Sequence, residues 1–103
     1  MKVDVTTWCA ENNRAGNYLA NVLEKIDDEK LVGKVNVYIH RFHARVKALN
    51  SVEKTTRLFF LKTLLKETES NIELNVRHEK VKSLMLNLIK TFYRMELLKI
   101  QTK

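Results

Sequence analysis

KVNVYIHRFHARVKAL, residues 34–49, carries two periodicities at once. In its first half Val35, Val37 and Ile39 alternate with Lys34, Asn36, Tyr38 and His40, the period of a half-buried strand. In its second half Arg41, His43, Arg45 and Lys47 crowd together with no acid among them. A wider window decides between strand and helix. Across residues 30–50, Leu31, Val35, Tyr38, Phe42, Val46 and Leu49 fall at steps of four, three, four, four and three, the spacing of one helix face. The alternation covers only Lys34–His40, and a strand of about twenty residues is far beyond ordinary strand length. The stretch therefore predicts a helix. At 100° per residue its apolar positions span an arc of about 80°, and Lys30, Lys34, Arg41 and Arg45 form a ridge about 60° wide beside them. His40, His43 and Lys47 are expected on the side away from the core.

The rest of the chain points the same way. Its 103 residues include no proline and only Gly16 and Gly33, so long helices meet few breakers. The length suits one domain with a modest core. The expected fold is all-α, a small bundle of about four helices over residues 7–28, 30–50, 51–69 and 74–100. In the first, Trp8, Ala15, Leu19, Val22 and Ile26 recur at helical spacing. The third is expected to start at Asn50 or Ser51, with Asn50 as N-cap and Glu53 completing a capping box. Leu58, Leu61, Leu64 and Leu65 make its buried side, with Phe60 at the margin. Phe59 shares a face with Lys62, Thr63 and Lys66, and an aromatic among lysines is expected to face a partner.

The fourth helix is the longest and carries two apolar stripes. One is Val81, Leu84, Leu88, Phe92 and Met95; the other is Leu86, Ile89, Tyr93, Leu97 and Ile100. A surface helix needs only about 100° of apolar face. Such a helix is either central to its own bundle or covered by a second copy. The width of its apolar surface favours a homodimer through Leu86, Ile89, Tyr93, Leu97 and Ile100.

The formal charge of +7 is uneven. Residues 1–29 carry −3 and residues 67–103 carry +2, whereas residues 30–66 set nine basic side chains against Glu53 alone, for +8. A solvated helix face usually intersperses both signs, because opposite charges pair at i,i+4. Between Lys30 and Val52 no acid is available for such pairs. A block of this kind points to a polyanionic partner. Lys30, Lys34, Arg41, Arg45, Lys47, Lys62 and Lys66 are the candidate phosphate contacts.

Other chemistries find little footing. His40 and His43 have a spacing that can share a metal, but no carboxylate or further ligand stands nearby as in helical zinc motifs. No metal or cofactor is expected. The lone Cys9 excludes an intrachain disulfide and fits a reducing, intracellular compartment. As a nucleophile it would need a neighbouring base, and Trp8 and Glu11 do not supply an electropositive setting. Acids bunch only at Asp27, Asp28 and Glu29, and no glycine loop cradles phosphate. An enzyme is not expected. No apolar run is long enough to span a membrane, and the stretch MKVDVTTWCAENN lacks the apolar region of a signal peptide. No motif is specific enough to name a family.

The expected function is non-enzymatic, sequence-independent binding of a duplex phosphate backbone, with double-stranded RNA slightly ahead of DNA. Small helical viral proteins that sequester double-stranded RNA share this general design, by analogy of architecture alone. Positions such as Val35, Val37, Tyr38 and Ile39 are not the side chains that read base edges. Two other readings stand beside it. One is a helical protein-interaction module, resting on Phe59 and the broad fourth helix. The other is a peripheral binder of anionic membrane through a basic amphipathic helix.

Overall fold

The computed structural model describes residues 13–101. Four α-helices fill this span: α1 (Asn13–Ile26), α2 (Glu29–Ala48), α3 (Lys54–Asn75) and α4 (Glu79–Gln101). A 3₁₀ turn over Leu49–Ser51 leads from α2 towards α3, and no strand occurs among the described residues. The all-α bundle is as the periodicity predicts. The part of the first predicted helix that holds Trp8 and Cys9 lies outside the described residues.

The connections follow from local chemistry. Asp27 ends α1 in the left-handed region, with φ 55°, a conformation that Asp tolerates better than most residues. Its N–H donates to the Leu23 carbonyl at 3.1 Å. Asp28 is the N-cap of α2, and its carboxylate accepts the Leu31 N–H at 3.1 Å. Glu29 follows in the first turn, where the helix dipole favours an acid.

The start of α3 differs from expectation. Asn50 does not cap it, because residues 49–51 are taken into the 3₁₀ turn. The N-cap is Glu53, whose carboxylate accepts the Thr55 N–H at 3.4 Å and the Thr56 hydroxyl at 3.1 Å. The Thr55 N–H and then the Thr56 hydroxyl hold this carboxyl below the ordinary glutamate value. The far end also moves. α3 runs past the expected stop at residue 69 to Asn75, because Ile72 is fully buried and anchors the added turns. The break falls at residues 76–78 instead. There Val76 is buried, and the His78 Nδ1 accepts the Val81 N–H at 3.3 Å, capping α4.

The core gathers Leu19 and Leu23 from α1, Val35, Ile39 and Phe42 from α2, Leu61 and Ile72 from α3, and Met85, Leu88 and Ile89 from α4. On α2 the buried set is Val32, Val35, Ile39, Phe42 and Val46, while Leu31 and Tyr38 are half-buried. The buried face is thus rotated by about 40° from the expected stripe. The rotation turns the basic ridge further from the core.

Part of the apolar surface on α4 is covered within its own chain. This helix packs against α1, α2 and α3 at once. Ile89 and Ile100, expected at a dimer interface, are buried within their own chain. Leu86 and Tyr93 are half-buried against the same core. Leu97 is half-buried, and Leu98 is an exposed apolar residue of that end. The bundle measures 42 × 26 × 18 Å.

Candidate nucleic-acid interface

α2 and α3 form an antiparallel hairpin, and two cross-contacts fix its register. At its open end the Lys34 ammonium donates to the Asn75 carbonyl at 2.9 Å. Nearer the turn Arg45 faces Glu67 at 3.8 Å, with both side chains about 60% exposed. Lys34 therefore satisfies a carbonyl at the C-terminal, negative end of α3. That contact gives Lys34 a structural role, and its assignment as a simple phosphate contact changes accordingly. The run from Lys30 to Val52, acid-free in sequence, finds its counter-charge on the neighbouring helix at Glu67. An exposed pair of this length contributes at most about 1 kcal/mol, so a phosphate can displace it.

Folding the hairpin sorts the charges by end. The open end mixes Lys30 and Lys34 with Asp28, Glu29 and, on α3, Glu73. The turn end is different. Residues 41–67 carry Arg41, Arg45, Lys47, Lys54, Arg57, Lys62 and Lys66 against Glu53 and Glu67. Arg57 is committed to structure, since its Nε and Nη2 donate to the Val52 carbonyl at 3.2 and 3.0 Å and fasten the turn. Arg41, Arg45, Lys62 and Lys66 are all exposed. Lys47 is exposed too, but it lies towards α4, beside Glu96 and Lys99. The seven candidate cations thus do not make one ridge. Arg41 and Arg45 flank the α2–α3 seam, and Lys62 and Lys66 lie on the outer face of α3.

Between these two pairs runs an apolar strip. Phe59 is 67% exposed and Phe60 44%, with ring centroids 5.9 Å apart and planes tilted by 58°. Phe60 walls a shallow groove of about 300 Å³ floored by Leu49 and Leu64, with Arg45 and Glu67 on its rim. The spacing places Phe59, Lys62 and Lys66 on one face, and the structure leaves that face open to solvent. Phe60 stands at the margin of the buried side, beside Leu64. The groove was not visible in the sequence, because Leu49 and Leu64 meet only through the hairpin register.

The histidines take structural places. His43, expected opposite the core, is half-buried with its ring edge-on to Phe92 at 5.8 Å and 70°. The rotation of the α2 face brings it to the α4 side. His40 is half-buried, and His78 is the α4 cap. Among the described residues no three His, Cys, Asp or Glu side chains gather as a metal site would need. An open cleft of about 620 Å³ lies between the end of α3 and the start of α4. Its Lys82 and Glu79 are paired with each other at 3.2 Å. Among the described residues no helix is long and apolar enough to cross a membrane. No family model, curated protein or solved structure matches the chain.

Proposed function

We propose that this protein binds nucleic acid without catalysing a reaction, gripping the phosphate backbone of a duplex with the turn end of its α2–α3 hairpin. One observation carries the reading. Arg41, Arg45, Lys62 and Lys66 are exposed along the hairpin from its middle towards the turn, where residues 41–67 carry Glu53 and Glu67 as their only acids and Glu67 is paired with Arg45. Side chains of this kind contact phosphate and release counterions. Sequence readout is not part of the proposal. The outward positions between the cations on α2 are Val37, Ala44 and Ala48, which have no hydrogen bonds to offer base edges. Double-stranded RNA stands slightly ahead of DNA, because contact through the backbone and shape is its usual mode of recognition.

The test is a mobility shift with double- and single-stranded RNA and DNA of matched length, across a salt series. Duplex binding that weakens steeply with salt and differs little between sequences is expected. Equal indifference to all four ligands at low salt would sink the reading.

A further inference from the structure

Phe59 is left unexplained by phosphate contact. It points away from the core on the outer face of α3, about 180° around the helix from the centre of the buried residues. A phenylalanine 67% exposed gains nothing from folding that a polar residue would not. Its neighbours on that face are Lys62 at i+3 and Lys66 at i+7, with Thr63 beside them. Across the strip, beyond Phe60 and the groove, stand Arg45 and then Arg41. The rings therefore lie between Lys62 and Lys66 on one side and the exposed Arg45–Glu67 pair, with Arg41 beyond it, on the other.

We infer that Phe59 is a stacking platform for an unpaired base, so that the protein favours a duplex carrying a single-stranded extension. The inference rests on the nucleic-acid reading and sharpens it. Binding surfaces for single strands combine cations that follow the backbone with aromatic faces on which bases stack. Both components are present here within two turns of one helix. The size of the patch also chooses between occupants. Two rings so exposed offer on the order of 200 Å² of apolar surface, whereas a stable protein interface buries about 800 Å² per partner. One or two bases match the patch, and a protein surface would leave most of its own contact area unmet. The charges agree, since one phosphate beside a stacked base meets Lys62 and Lys66, and the other meets Arg45 once it displaces the weak, exposed pair with Glu67.

The experiment compares three labelled ligands by fluorescence anisotropy: a blunt duplex, the same duplex with a short single-stranded extension, and that extension made abasic. The extended duplex is expected to bind more tightly than the blunt one, and the abasic extension to lose most of the gain. Phe59→Ala should weaken binding of the extended duplex by about 5- to 150-fold, the measured range for loss of one stacking partner. It should leave the blunt duplex unchanged. Phe59→Leu keeps apolar bulk without a ring face and should behave like Phe59→Ala, while Phe59→Tyr should restore binding. The denaturation midpoints of all three variants should match the wild type, because Phe59 is outside the core. If the extension adds nothing, or Phe59→Ala weakens both duplexes equally, stacking is wrong although phosphate binding stands. If no ligand binds, both fall.

Discussion

At the scale of single residues, Glu53 shows how one carboxylate sets an element boundary. It caps α3 through the Thr55 N–H and the Thr56 hydroxyl, and these bonds lower its pKa. A carboxyl with a lowered folded pKa contributes stability that is fully present above its ordinary value, about 4.3. That contribution disappears as pH falls through the lowered value. Glu53→Gln should therefore lower the urea midpoint at about pH 7, and the gap from wild type should narrow as pH falls below the ordinary glutamate value. A gap that stays constant as the pH falls would mean the ionised carboxylate is not the cap. Gly33 is a second local case. It sits inside α2, and a Cβ built there meets nothing within 4 Å. Gly33→Ala should raise stability by about 0.5–1 kcal/mol, through helix propensity and a less flexible unfolded chain. A drop in the midpoint would reveal a contact that the structure does not contain.

At the scale of elements, four helices and their order follow from hydrophobic spacing, while their ends and exact faces do not. The α2 window contains two overlapping sets at helical spacing. Leu31–Tyr38–Leu49 and Val32–Ile39 share Val35, Phe42 and Val46, and only the packing of α4 against them selects the second. The extension of α3 to Asn75 was hidden for a related reason. Ser70 and Asn71 are weak helix formers, and the burial of Ile72 overrides them. The two stripes of α4 were visible, but spacing alone cannot say whether a second copy or the same chain covers them. The structure puts Ile89 in the core of one chain. Ile89→Ala should cost about 2–5 kcal/mol, the usual range for an aliphatic side chain cut from a core. The loss should be the same at low and high protein concentration, since no mass-action term enters an intramolecular contact. A loss that shrinks on dilution would restore Ile89 to an interface between copies.

At the scale of the whole molecule, folding redistributes the charge that the sequence shows only as a block. The excess over residues 30–66 is plain in the chain. Its division into a mixed open end and a cationic turn end comes from the antiparallel register, which sets Lys34 on Asn75 and Arg45 on Glu67. Phe59 was legible as an aromatic among lysines. The groove beside Phe60 was not, because its neighbours come from another helix. The account stands or falls on the cationic turn end, and the salt dependence of duplex binding addresses it most directly. Each phosphate contact contributes about −0.9 to the slope of log K against log salt on B-form DNA. Replacing Arg41, Arg45, Lys62 and Lys66 with alanine should flatten that slope by up to about 3.6 and weaken binding alike on every sequence. Helicity should hold, because alanine is the best helix former. Lys25→Ala, an exposed change in the last turn of α1, should leave the slope alone. A quadruple variant that keeps the wild-type affinity and slope would contradict the account.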